Sequence, residues 1–266
     1  GDLVRHYLTL EDWTDDVSKF GIDIWMTTSA LAGGFAVCQT RLGAKVHDPK
    51  DPGADLGPMF RQVVGTILRL AQRYADQWLP IRGSHTVPAY GFERIIDPPA
   101  LEVNTLRLLS EFHAGSLTLA DTWTSMLAPA TAETVLTLAA EAGRLGDSAR
   151  AKLGIGGDVA STTATTFDMA EAVSTFHFPD DVWARVVYDL VIAARDPKPS
   201  LETLVAALVP IYFGRVGSFV IENRHITTDQ AEERVERQAR EFELLKPYLV
   251  ERWQAAEATA AVEAAS

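Results

Sequence analysis

Residues 59–70, Met59-Phe60-Arg61-Gln62-Val63-Val64-Gly65-Thr66-Ile67-Leu68-Arg69-Leu70, open the part of the chain that decides its fold class. Phe60, Val63, Val64, Ile67, Leu68 and Leu70 recur at spacings of three and four, which gathers them into one apolar stripe if the segment is helical. The spacing predicts a helix over 59–78. The same texture returns at 101–112, 130–142, 181–194 and 201–221, and then over 228–253, the longest run. Thr228 heads that run as the expected N-cap, because its hydroxyl can accept from an unpaired amide of the first turn. Residues 81–99, with Pro88, Pro98 and Pro99, read as a connector. The Ala- and Glu-rich residues 255–266 read as a tail that frays.

Upstream of residue 58 the texture changes. Residues 15–31 carry a helical signal around Phe20-Gly21-Ile22-Asp23-Ile24-Trp25-Met26, which the pair Gly33-Gly34 breaks. Phe35-Ala36-Val37-Cys38-Gln39-Thr40-Arg41-Leu42 alternates enough to suit a strand. Residues 43–55 hold two prolines and two glycines and read as a loop. The expected class is therefore mainly α. A short α/β segment occupies 1–58, a helical domain 59–254, and the tail 255–266. A stable sheet needs more strands than 1–58 can supply, so further strands are expected ahead of Gly1.

The composition narrows the function. With 47% hydrophobic and 23% charged residues in a chain of 266, a packed core is expected and disorder is not. A formal net charge of −12 and no cluster of Lys and Arg exclude a nucleic-acid-binding surface. Cys38 is the only cysteine, which removes any disulfide framework or cysteine-based zinc site. No uninterrupted run of 18 apolar residues is present, so no membrane span is expected, and the start of the sequence lacks the apolar core of a signal peptide. The compartment expected from these features is the cytoplasm.

Three features could carry chemistry. Asp23 follows Gly21 and Ile22 at a helix start, where it is either an end-stabilising acid or a carboxylate beside a polar ligand. His47-Asp48 follows a strand, with Asp51 and Asp55 nearby; a lone histidine is usually no ligand, but strand ends are where open α/β sheets build their sites. Histidine and carboxylates together suit Mn²⁺ or Mg²⁺. Lys45 and Lys50 flank that histidine and are either solvated or diphosphate contacts. No G-x-S-x-G, P-loop, H-E-x-x-H or strand-linked G-x-G-x-x-G is present. Arg215 and Glu222 read as an internal pair or helix-face charges, and Trp123, Trp183 and Trp253 as core.

Taken together, Phe20-Gly21-Ile22-Asp23-Ile24-Trp25-Met26-Thr27-Thr28, Leu42-Gly43-Ala44-Lys45-Val46-His47, Ala54-Asp55-Leu56-Gly57 and the helix over 59–78 resemble the mannosylglycerate synthase and glucosyl-3-phosphoglycerate synthase group of retaining glycosyltransferases. Phe213-Gly214-Arg215-Val216 followed by a long last helix fits the same group. The resemblance implies a GT-A catalytic domain followed by a helical domain, a hexose moved from a GDP- or UDP-sugar to a small hydroxy acid or related acceptor, and a homodimer through the helical part. It implies His47 as metal ligand for Mn²⁺ or Mg²⁺, Asp23 as the catalytic carboxylate at the sugar, and Gly21, Lys45 and Lys50 on the donor and its diphosphate. The Asp-x-Asp motif of that group is missing upstream of Asp23, so this chain alone is expected to transfer little or nothing. Two rivals stand beside this reading. One is a helical His-Asp phosphohydrolase drawing on His85, His113 and His177, against which Pro49 and Pro52 count. The other is a helical interaction or oligomerisation module.

Overall fold

The computed structural model describes residues 1–40, 52–91, 102–155 and 164–265. The chain is mainly α and forms two compact units, Gly1–Leu101 and Glu102–Ser266. The division falls well beyond residue 58, because the helix expected to open the second domain instead packs within the first.

The first unit holds α1 (Asp2–Leu8), α2 (Ile22–Ala32), β1 (Gln39–Thr40), α3 (Pro52–Arg73), α4 (Ala75–Trp78) and β2 (Ala89–Tyr90). The apolar stripe read from residues 60–70 does form. Leu68 and Leu70 are buried, and Leu70 joins Trp25 of α2 and Val17 in a core flanked by Tyr7, Leu10 and Tyr74. The helix begins at Pro52, inside the expected loop, and its main stretch stops at Arg73. Gly33 closes α2 and Gly34 follows at φ 74°, a left-handed conformation that favours glycine. Of the strand expected over 35–42, residues 35–38 are irregular and only Gln39–Thr40 is strand among the described residues. It pairs in parallel with Ala89–Tyr90, within what the sequence offered only as a connector.

The second unit holds α5 (Thr105–Met126), α6 (Pro129–Leu153), α7 (Thr166–Ala172), α8 (Asp180–Ala193), α9 (Leu201–Asn223), α10 (Thr228–Leu244) and α11 (Lys246–Ala265). Asn104 caps α5 by accepting from the Arg107 amide at 3.0 Å. Glycines let helices close on one another: a Cβ at Gly214 of α9 would lie 2.5 Å from the Phe112 ring of α5, and one at Gly143 of α6 2.6 Å from the His113 ring. Trp123, fully buried on α5, donates its indole N–H to the Ala207 carbonyl of α9 at 2.8 Å. α9 is long and apolar enough to cross a membrane by length and composition, but 61% of its apolar window is buried inside the unit, as in a core helix.

Polar side chains pin the outer helices. Asp189 of α8 is wholly buried, and accepts from the Ala128 amide at the head of α6 (2.8 Å) and from the Tyr248 hydroxyl of α11 (2.6 Å). Arg252 lies at ion-pair distance, 3.2 Å. A buried carboxylate is costly unless its lone pairs are met in this way. Arg215 is paired with Asp180 and Gln238, not with Glu222, whose carboxylate instead accepts from the Ser218 hydroxyl and meets His177. Burial pulls the Arg215 guanidinium below its ordinary range, while the adjacent Asp180 opposes that fall.

The single long helix expected over 228–253 is two. Leu245 ends α10, and Pro247 sits in the first turn of α11, where a missing N–H costs least. The cap is Thr227, one residue before the expected Thr228, in a reciprocal box with Gln230. Residues 255–265 continue α11, consistent with the high helix propensity of Ala and Glu, where fraying was expected.

Tyr188 of α8 donates to the Phe242 carbonyl of α10 at 2.6 Å. Burial, and then the charge of Glu243, push its hydroxyl up to about 12. Above the ordinary tyrosine value of about 10, the unfolded chain releases this proton before the folded one does. The contribution is therefore complete below about pH 10 and is lost as pH rises toward 12. Urea midpoints measured from pH 9 upward should fall less steeply for Tyr188→Phe than for the parent chain; equal slopes would remove Tyr188 from the alkaline response.

Candidate functional site

The first unit contains the described part of the sequence-derived site. Ahead of α2, residues 14–21 wind through tight turns: the Ser18 amide donates to the Thr14 carbonyl, and the amides of Lys19 and Gly21 both donate to the Asp16 carbonyl. One face of α3 grips this turn. Gln62 accepts from the Phe20 amide at 3.4 Å, Arg69 pairs with Asp16, and Arg73 pairs with Asp12 at 3.0 Å. Thr66, on the same face, donates its hydroxyl to the Gln62 carbonyl. These pairs are partly exposed, so each ion pair contributes little alone. Their value is in geometry: from one face of α3, Gln62 and Arg69 hold the turn and Arg73 holds Asp12 just ahead of it.

Gly21 is the tightest point. It is buried as the N-cap of α2, and a Cβ there would lie 2.7 Å from the Asp16 carbonyl oxygen and closer still to the Thr66 hydroxyl. Gly21 therefore acts as the backbone residue that lets α2 start against α3. Two residues on, Asp23 stands exposed in the first turn of α2. Its carboxylate is favourably placed against the positive end of the helix and makes no hydrogen bond or ion pair among the described residues. It is open to a ligand.

Asp23, Thr27 and Leu31 follow one another along a single face of α2. Thr27 and Leu31 form one wall of a concavity of about 540 Å³, completed by Val37, Cys38 and Gln39 around β1 and by His85, Thr86 and Val87 leading to β2. A second, apolar hollow of about 310 Å³ lies between α2 and α3, lined among others by Ile24, Leu70, Tyr74 and Trp78. The concavity was not read from the sequence, which offered His85 only as a ligand of the rival His-Asp hydrolase. The parallel pairing that brings residues 85–87 beside 37–39 joins segments nearly fifty residues apart, and nothing local announces it.

His47, Lys45 and Lys50 lie outside the described residues, a few positions beyond the end of β1. Among the described residues no group of three or more His, Cys, Asp and Glu is placed to hold a metal ion. The histidines offered to a His-Asp hydrolase each have their own surroundings within their unit. His85 lines the concavity of the first unit, His113 of the second faces the Ala139 carbonyl at 3.1 Å, and His177 meets Glu222 at 2.8 Å.

The contrast between two glycines tests the grip on α2. Gly21→Ala should destabilise the chain by about 1–3 kcal/mol, the usual cost of forcing atoms into a filled space. Gly65→Ala in α3, whose added Cβ would meet no atom nearer than 3.6 Å, should stabilise it by about 0.5–1 kcal/mol through helix propensity. Urea denaturation of both variants reads the difference, and an unperturbed Gly21→Ala chain would contradict the close approach. No protein-family model, curated protein or solved structure matches this chain.

Proposed function

We propose that the chain is part of a metal-dependent, retaining glycosyltransferase that moves a hexose from a nucleotide sugar to a small hydroxylated acceptor. The observation that carries this reading is the setting of Asp23. An exposed carboxylate stands at the start of a helix locked in place by Gly21, on a face that runs into a concavity of mixed polar and apolar walls beside a parallel strand pair. The strand at that concavity leads directly into the segment carrying Lys45, His47 and Lys50.

In this reading, Asp23 orients sugar or acceptor hydroxyls at the reacting carbon and favours the positive charge that develops there. Lys45 and Lys50 hold the diphosphate by charge. His47 contributes one ligand to Mn²⁺ or Mg²⁺, whose chemistry there is to offset the charge of the departing nucleotide diphosphate. Binding at the fixed start of a helix suits catalysis because small displacements of a reacting group are costly. An interaction module is less well supported. Exposed Val235, Leu244 and Val262 are three residues spread along α10 and α11, and scattered apolar residues are normal on a protein surface.

Calorimetric titration of the chain with Mn²⁺ and GDP- or UDP-hexose tests the assignment. His47→Ala should weaken metal-dependent nucleotide-sugar binding by at least about tenfold, since loss of even an outer-shell partner costs that much. Asp23→Asn should leave this binding within about twofold, because it removes a group that faces the sugar and not the metal. Binding indifferent to His47, or absent with both nucleotides, would contradict the reading.

A further inference from the structure

The concavity beside β1 has a lining whose chemistry selects a ligand. Its polar members are Thr27, Gln39, His85 and Thr86; its aliphatic members are Leu31, Val37 and Val87. A volume of about 540 Å³ falls in the range where small ligands are held by apolar walls and a few convergent polar groups. No Lys, Arg, Asp or Glu occurs among the described lining residues. A phosphate or carboxylate is ordinarily held by cationic donors, and an amine needs a carboxylate when it leaves water. Two hydroxyls, an amide and an imidazole can each donate and accept. That is the complement of a ligand bearing several hydroxyls, each of which also donates and accepts. The aliphatic side chains offer surface to its C–H faces.

We propose that this concavity seats an uncharged sugar or polyol, with Thr27 and His85 as its principal anchors. Identification of that ligand as the acceptor rests on the transferase reading, whereas its neutrality is argued from the described lining residues. The seat continues the face of α2 on which Asp23 stands one helical turn earlier. It points to a neutral hydroxylated acceptor, in contrast to the hydroxy acid implied by the family resemblance.

Cys38 supplies the test. It is the only cysteine of the chain, it is exposed, and it lines the concavity, so its rate of reaction with a thiol-reactive dye reports occupancy. Methyl α-mannoside or methyl α-glucoside should slow the reaction several-fold at saturation, and glycerate or 3-phosphoglycerate should not. Thr27→Val and His85→Ala, both at exposed positions, should each weaken the protecting sugar by about fivefold to tenfold, the value of one lost hydrogen bond. Absence of protection by any neutral sugar, stronger protection by the anions, or protection unchanged in both variants would overturn the proposal. The nucleotide-sugar titration is read separately. Sugar protection without nucleotide-sugar binding would keep the seat and remove the transferase; nucleotide-sugar binding without sugar protection would do the reverse.

Discussion

The close approach of Gly21 to α3 is the constraint from which the candidate site follows. A side chain larger than hydrogen at this position would meet the Asp16 carbonyl and the Thr66 hydroxyl. Only with glycine can α2 begin where it does, and the spacing of four then sets Asp23, Thr27 and Leu31 along one face. Arg69 and Arg73 reinforce the same contact by pairing with Asp16 in the turn ahead and with Asp12 just before it. Trp25, one position past Ile24 on the opposite side of the helix from Asp23, is buried with Leu70 and Val17 and fixes which face of α2 is left open. Core packing on one side of the helix thus decides what the other side can offer to a ligand.

The second unit rests on different devices. Its helices approach closely where glycine stands opposite an aromatic ring, Gly214 against Phe112 and Gly143 against His113. Its outer helices are tied by Asp189, a buried carboxylate answered by a backbone amide and a tyrosine hydroxyl from two other elements. Such a group stabilises only while its partners remain, so it defines one arrangement of α6, α8 and α11 and penalises others.

The mainly helical class was legible because spacings of three and four recur in segment after segment downstream of residue 58. The end of α2 was equally plain, since Gly33 and Gly34 act locally. Boundaries failed where a single residue outweighed the pattern. Pro247 divides what the periodicity of 228–253 joins, and Ala- and Glu-rich residues 255–265 remain helical, favoured by propensity and tied through Glu257 to Trp253 and Arg195. The position of Asp23 in a first turn followed from the glycine before it. The concavity did not, because its walls come from α2, β1 and residues 85–87, which are brought together by a parallel pairing that leaves no mark on the local sequence. The sequence also placed the domain division at residue 58, where composition changes, and not at Leu101, where packing does.

The central claim is that the open start of α2 faces a metal-bound nucleotide sugar. Paramagnetic broadening reads this directly. With Mn²⁺ and GDP- or UDP-hexose added to ¹⁵N-labelled chain, the amides of residues 21–27 should broaden strongly, and the effect should disappear in His47→Ala. Broadening that spares α2 and gathers on the Arg- and Glu-rich surface of α10, or that persists unchanged without His47, would contradict it.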